Sequence, residues 1–155
     1  MVADKERTLV IVKPDGVQRG YIGEVLRRFE KRGLKIVGLK MIKVDKELAM
    51  KHYGEHAGKP FFEGLVDFIT VSPVVVVAVQ GRNVVKLVRK MMGALKPEEA
   101  DAGSIRGDLG LSKSYNVVHG SDSVENGKRE VDLFFREEEI FDYPRDIENW
   151  LRHDN

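Results

Sequence analysis

The sequence predicts an α+β domain built on a four-stranded antiparallel sheet, and three observations carry that prediction. Compact runs rich in β-branched residues stand at Thr8 to Val12, Leu34 to Val44, Val74 to Val79 and Tyr115 to His119. Apolar residues recur at helical spacing between the first and second runs, and again between the third and fourth. A helical insertion separates the second run from the third, and one more helix follows the fourth.

Taken in order, Thr8 to Val12 suits a buried strand, and Lys13-Pro14-Asp15-Gly16 ends it in a turn, so Lys13 stands at a strand end. From Tyr21 to Lys31 the residues Ile22, Val25, Leu26 and Phe29 share one helical face, with Gly33 as the C-terminal stop. Leu34 to Val44 alternates as a second strand. Asp45 is placed to N-cap a short helix reaching Tyr53, and a second helical segment spans about Phe61 to Ile69 after Pro60. These two form a hairpin inserted before Val74 to Val79, a central strand of valines and one alanine. Asn83 to Met92 returns to helix. Between Gly93 and Gly110 the residues are too polar and broken for a regular element, which predicts a long functional loop. Tyr115 to His119 is the last strand, and Ser121, Asp122 and Ser123 offer N-caps to a helix running through Val131 to Phe135. The tail, residues 136–155, carries Ile140, Phe141, Tyr143, Ile147, Trp150 and Leu151 and must cover something apolar. The order is βαββαβ: a ferredoxin-like antiparallel sheet with helices on one face, an inserted helical hairpin, and a C-terminal helix plus tail.

The 155 residues, 42% hydrophobic, suit one core, so residues 1–155 are expected to form a single domain. Lys and Arg total 26 against 25 Asp and Glu, and a net charge of +1 gives no global attraction to nucleic acid or to an anionic membrane. Any anion site must be local. The absence of Cys excludes disulfides, thiol nucleophiles and Cys-ligated metals, and suits a reducing, cytoplasmic location. No apolar run approaches the ~18 residues of a membrane span, and the charged first residues do not read as a signal peptide. A 33% charged content with only two Gln leans toward surface ion-pair networks and a heat-tolerant source.

Chemistry gathers at strand ends and loops. Asn116-Val117-Val118-His119-Gly120-Ser121-Asp122 puts one histidine at the end of an apolar run among small polar residues. An imidazole is a nucleophile when one ring nitrogen is held by a hydrogen bond and the other is free. Gly120 leaves room for an attacker, Ser121 and Asp122 can fix the tautomer or cap a helix, and Asn116 can orient a substrate oxygen. In most sequences a histidine beside valines is a buried or edge residue with a satisfied ring. Lys13, Arg89 and Arg106 join His119 and Asn116 as an anion clamp suited to a polyphosphate, although a single cation in a chain of 26 is more often a solvated surface group. No G-x-x-x-x-G-K-[ST] is present, and Gly16, Gly20 and Gly23 lack dinucleotide or kinase spacing. His52 and His56, four apart, could offer two metal ligands on one helical face, but H-E-x-x-H order is absent and Gly54 breaks the helix. Tyr53 and Phe61 flank the hairpin turn, where a ring could stack on a nucleobase; by residue type alone, core packing suits Phe61 slightly better.

These residues resemble those of the nucleoside diphosphate kinases nearly end to end. The heptapeptide at 116–122 matches that family's N-x-x-H-G-S-D signature. Val12-Lys13-Pro14-Asp15-Gly16, Gly58-Lys59-Pro60-Phe61-Phe62, Ile105-Arg106-Gly107-Asp108 and Glu139-Ile140-Phe141-Asp142-Tyr143 match further family motifs in the right order. The resemblance implies transfer of a γ-phosphate from a nucleoside triphosphate, usually ATP, to a nucleoside diphosphate by a ping-pong route. His119 would be the phosphohistidine. Lys13, Arg89, Arg106 and Asn116 would bind phosphate or ribose, with Tyr53 beside the transferred group and Phe61 stacked on the base. Glu130 would hold the other imidazole nitrogen, supported by Ser121. Stacking with few base-edge contacts would tolerate many bases, and Mg²⁺ would arrive on the phosphates without a protein cage.

One departure stands out. After Met91-Met92-Gly93-Ala94 the family usually has a Thr that contacts phosphate, where this chain has Leu95, so weaker binding or slower transfer is expected unless Lys96 or Ser104 substitutes. The resemblance also implies a homo-oligomer, a hexamer rather than a tetramer by the length of the tail, with no membrane or specific nucleic-acid partner. Two other classes fit the fold: a nucleotide- or single-strand-binding regulator, and a structural oligomer without activity. Near-zero net charge and the lack of an aromatic sheet motif weigh against the first, and the intact Lys13, Arg89, Arg106, Asn116, His119 and Glu130 against the second.

Overall fold

The computed structural model describes residues 2–151, so the last four residues of the predicted tail fall outside it. In chain order the main elements are β1 (Arg7–Val12), α1 (Pro14–Gln18), α2 (Ile22–Lys31), β2 (Lys35–Ile42), α3 (Lys46–His52), α4 (Phe62–Thr70), β3 (Val74–Gln80), α5 (Val84–Met92), α6 (Ile105–Leu109), β4 (Val118–Gly120), α7 (Val124–Phe134) and α8 (Glu148–Leu151). The strands lie in the order β2-β3-β1-β4, and every pairing is antiparallel. This is the ferredoxin-like arrangement that the element order predicts.

The two central strands are apolar along Leu9 to Val12 and Val74 to Val79 because both sheet faces are covered there. Residues of one parity, Val10, Val12, Val75, Val77 and Val79, pack with Val25 and Phe29 of α2 and Val84, Val88 and Met92 of α5. Leu9, Ile11, Val74, Val76 and Ala78 point the other way, onto Ala49 of α3, Val66 and Ile69 of α4, and Val131 and Phe134 of α7. The two crossover helices thus share one face, as read from the sequence, while the inserted hairpin and α7 close the other. Gly127 lets α7 lie tight on β1: a Cβ there would stand 2.4 Å from the Arg7 carbonyl oxygen.

The predicted caps are in place. Asp45 Oδ1 accepts the Leu48 N–H at 2.7 Å, and Ser123 Oγ accepts the Asn126 N–H at 3.0 Å. The tail runs along β2, where the Phe141 N–H donates to the Val37 carbonyl at 2.8 Å and the Tyr143 hydroxyl to that of Ile36 at 3.0 Å. Ile140 packs against the core, but Trp150 stays 88% exposed.

Three local expectations are corrected. Pro14 ends β1 as expected but also opens a helix, because its φ suits the first helical turn. Within the predicted structureless loop, Ser104 Oγ accepts the Gly107 N–H and starts the five-residue α6, which buries Ile105 and Arg106. The last strand starts at Val118 instead of Tyr115, because Val117 adopts a φ of +77° that no strand accommodates. That turn aims the Val117 N–H at Asp15 Oδ2, 2.9 Å away, and its carbonyl at the Lys13 N–H, also 2.9 Å away.

Candidate active site

His119 lies in the middle of β4, across from Ile11 of β1. Its Nε2 is 3.1 Å from Glu130 Oε1, and the same oxygen accepts the Ser121 hydroxyl at 2.6 Å. Ser121 is itself held, since its Oγ accepts the Leu9 N–H at 3.0 Å. Burial alone would raise the Glu130 carboxyl, but hydrogen bonds and charge from His119, with Ser121 and His52, outweigh it and hold it down to about 2. An ionised carboxylate only accepts, so Nε2 carries the ring hydrogen and Nδ1 keeps its lone pair.

The His119 side chain is 24% exposed and opens on a cleft of about 470 Å³ that Tyr53, Arg89, Leu95, Arg106 and Glu130 also line. A larger hollow of about 720 Å³ opens beside the tail, but its lining contains no histidine. Burial, then the charge of Glu130, pushes the Tyr53 phenol up to about 12, so it remains a hydroxyl donor at neutral pH.

The basic groups are anchored from behind. Arg106 is buried and donates to the carbonyls of Val118 at 2.7 Å, Gly93 at 3.1 Å and Asn116 at 3.4 Å. Burial and then Arg89 lower its guanidinium to about 10, leaving it charged at neutral pH. Arg89 Nη1 approaches the Gly120 carbonyl at 3.4 Å. Lys13 Nζ donates to Asn116 Oδ1 at 2.6 Å, and Asn116 Nδ2 donates to the Leu95 carbonyl at 3.1 Å. Burial lowers the Lys13 ammonium to about 8, with Asp15 opposing and Arg106 adding to the effect.

Tyr53, Arg89, Arg106, His119 and Glu130 therefore share one cleft, while Lys13, Asn116 and Ser121 adjoin its lining and connect to it through hydrogen bonds. Phe61 is 50% exposed, with its ring 5.3 Å from that of His56, so the core-packing reading of Phe61 is corrected. Leu95 lines the cleft and is 55% exposed. Ser104 cannot replace the missing hydroxyl there, because its Oγ already donates to the Asp101 carbonyl at 2.6 Å and accepts from Gly107. Lys96 does not line the cleft.

Sequence reasoning placed His52 only in a possible pair with His56. The fold instead buries His52 between His119, 4.8 Å away edge-on, Tyr53 and Phe134. Its Nδ1 is 3.6 Å from Glu130 Oε2, and neither ring nitrogen has a hydrogen-bond partner. Burial, then the neighbouring His119, lowers this ring to about 3, so it is neutral across the physiological range. No spacing rule joins positions 52, 119 and 130; only the packing of α3 against α7 does.

The family model described as nucleoside diphosphate kinase matches residues 6–140. The nucleoside diphosphate kinase of Pyrococcus abyssi is 61% identical over 151 residues, 96% of this chain and 94% of that protein. A halophilic nucleoside diphosphate kinase from Halobacterium salinarum, solved in complex with CDP, superposes with a TM-score of 0.93 at 47% identity, covering 96% of this chain and 99% of that one. A nucleoside diphosphate kinase family protein from Babesia bovis gives 0.93 at 44% identity, covering 95% and 99%.

Proposed function

This chain belongs to the nucleoside diphosphate kinase family, and we propose that it transfers the γ-phosphate of ATP, or of another nucleoside triphosphate, to nucleoside diphosphates through His119. The observation that carries the reading is the His119–Glu130 contact at 3.1 Å inside a cleft lined by two guanidiniums. Nδ1 of His119 attacks the γ-phosphorus, the bond to the bridging oxygen breaks, and the diphosphate leaves with that electron pair. A second diphosphate then attacks the phosphohistidine, and Nδ1 recovers its lone pair. Glu130 keeps the proton on Nε2 through both halves and stabilises the ring as positive charge develops, and Ser121 steadies Glu130.

Arg89 and Arg106, which line the cleft, neutralise the equatorial oxygens, and Lys13 and Asn116, hydrogen-bonded to each other beside it, are assigned to phosphate and ribose. Tyr53 offers its hydroxyl beside the transferred group. Phe61 stacks on the base, which supports broad base tolerance because every base has a π-face. The CDP complex of the similar Halobacterium protein supports nucleotides as ligands.

Mg²⁺ belongs to this reading as a passenger on the phosphates. Among the described residues the cluster of metal-capable side chains is His52, His119 and Glu130, and imidazole donors do not suit Mg²⁺, which takes oxygen ligands. Glu55 and Asp122 are carboxylates that line the cleft and can accept from the ion's water shell. When bound, Mg²⁺ offsets phosphate charge and orients the transferring group.

We read residues 1–155 as one such domain, working in the cytoplasm as a homo-oligomer, a hexamer more than a tetramer. The lack of Cys suits a reducing compartment, and no helix among the described residues is long and apolar enough to cross a membrane. Exposed Leu39 and Met41 on the edge strand β2, with Trp150 on the tail, supply apolar surface for subunit contacts. Light scattering of the pure protein tests this, and a monomer overturns it. For the reaction, the protein is mixed with γ-labelled ATP and Mg²⁺. Acid-labile, base-stable label discharged by GDP or CDP is expected, and none in His119→Ala. Label that persists in His119→Ala refutes the role.

A further inference from the structure

His52 poses a problem that phosphoryl transfer does not solve. Its ring is 97% buried, being 3% exposed, and both of its nitrogens lack a hydrogen-bond partner. An imidazole always has one N–H and one lone pair, or two N–H groups, and native proteins rarely leave such atoms dry. The polar groups it faces are the reacting pair: one donor atom each from His52, His119 and Glu130 lies within 4.8 Å of the others.

We propose that His52, His119 and Glu130 form a binding site for a borderline divalent ion, Zn²⁺, distinct in chemistry from the Mg²⁺ carried by a nucleotide. Two neutral imidazoles and one carboxylate, with a fourth position left for water, are a standard donor set for zinc. Zinc–ligand bonds of about 2.1 Å in a tetrahedron put neighbouring ligand atoms ~3.4 Å apart. Two spacings lie near that value, 3.1 Å for His119 Nε2 to Glu130 Oε1 and 3.6 Å for His52 Nδ1 to Glu130 Oε2, and the three donor atoms all stand within 4.8 Å of one another, somewhat wider than a loaded site. Gathering the three donors on one ion requires the His52, His119 and Glu130 side chains to draw together. His52, His119 and Glu130 all border the cleft, which provides the way in. The opposing feature is Arg129, whose guanidinium is 3.8 Å from Glu130 Oε2, but that side chain is 43% exposed and can swing into solvent.

Occupancy would change the tautomer of His119. An ion on Nε2 takes the lone pair there and sends the ring proton to Nδ1, which then has no lone pair for phosphorus. Zinc would thus switch off the nucleophile while Mg²⁺, a poor partner for imidazole, would leave it alone. This consequence for activity rests on the reaction proposed above; the binding itself does not.

The test titrates the metal-free full-length protein with ZnCl₂ in a calorimeter and with CoCl₂ under visible absorption. One equivalent of Zn²⁺, an intense tetrahedral Co²⁺ spectrum, and ¹⁵N ring shifts at both His52 and His119 are expected. His52→Phe, which keeps the ring's bulk beside Phe134, should bind about tenfold weaker or worse, since losing even an outer-shell partner costs that much. No binding, a wild-type spectrum in which the His52 ring does not move, or equal affinity in a folded His52→Phe would each overturn the proposal. The wild-type ¹⁵N measurement decides the matter if that variant fails to fold. Zinc bound at these rings in a protein that forms no phosphohistidine with Mg²⁺ and ATP would sink the reaction and leave the site standing.

Discussion

Glu130 Oε1 stands 3.1 Å from His119 Nε2, on the far side of the imidazole from the nitrogen that has to attack. An acid eleven residues downstream, on a helix packed over the sheet, thereby decides which nitrogen of a strand residue is held and which keeps its lone pair.

Glu130→Gln keeps the size and one acceptor but removes the charge. A hydrogen bond to a charged group contributes about 1.5–3 kcal/mol, so kcat should fall roughly 10- to 150-fold with little change in KM. The same variant should alter acid stability. A carboxyl lowered from 4.5 to about 2 by folding stabilises the protein above about 4.5, and that contribution fades as pH falls toward 2. Denaturant titrations between pH 5 and pH 3 should show a shallower loss in the variant; parallel curves would show that the contact does not stabilise the fold.

Lys13 makes nucleotide binding pH-dependent. With the ammonium lowered to about 8 mainly by burial, the free protein loses this charge as pH rises through 8, and an arriving phosphate restores it. Binding of ADP near pH 8 should take up protons, read by calorimetry in two buffers of unequal ionisation enthalpy, and affinity should decline above pH 8. Lys13→Met should abolish the uptake; uptake unchanged in that variant assigns it elsewhere. For folding the slope has the same sign as for Glu130, because the unfolded chain holds more protons than the folded one between about 8 and 10.5; stability rises with pH there, but as a cost that fades instead of a gain that builds.

Phe61→Ala separates stacking from stability. A half-exposed ring leaves little core behind, so the melting midpoint should barely move. Base stacking contributes about 1–3 kcal/mol, so KM for GDP, CDP and UDP should rise by similar factors, roughly 5- to 150-fold. A rise confined to one base would indicate edge recognition instead.

Leu95→Thr tests the departure from the family motif. The side chain lines the cleft and its own carbonyl already holds Asn116, so a hydroxyl can be added without disturbing that bond. Ser104, committed to Asp101 and Gly107, does not replace that donor. A gain in kcat/KM of the order expected for 1–3 kcal/mol, about 5- to 150-fold, is predicted. An unchanged value would show that the phosphates do not reach this position.

The periodic parts of the chain were readable because burial imposes period: valines on both faces of β3, and Val25 and Phe29 one turn apart on α2. The short irregular pieces were not. Helix α6 has five residues and relies on a cap, a buried arginine and Gly107, where any added Cβ would run into the Asp101 carbonyl, none of which leaves a period. Val117 breaks strand β4 because of contacts with residues 13 and 15, a hundred positions away. Strand ends, loops and the family resemblance singled out His119, Lys13, Arg89, Arg106 and Asn116, but His52 was invisible as a neighbour of the His119 ring because α3 meets α7 only in the folded chain.

By itself, then, the order of residues determined the succession of the main strands and longer helices, the sheet they build and the family, since each depends on local spacing and residue type. Only the tertiary structure decided which imidazole nitrogen is held, which cations line the cleft and which adjoin it, and that a second histidine lies beside the first. Those are properties of distance and burial, which arise when segments far apart in the chain exclude water together.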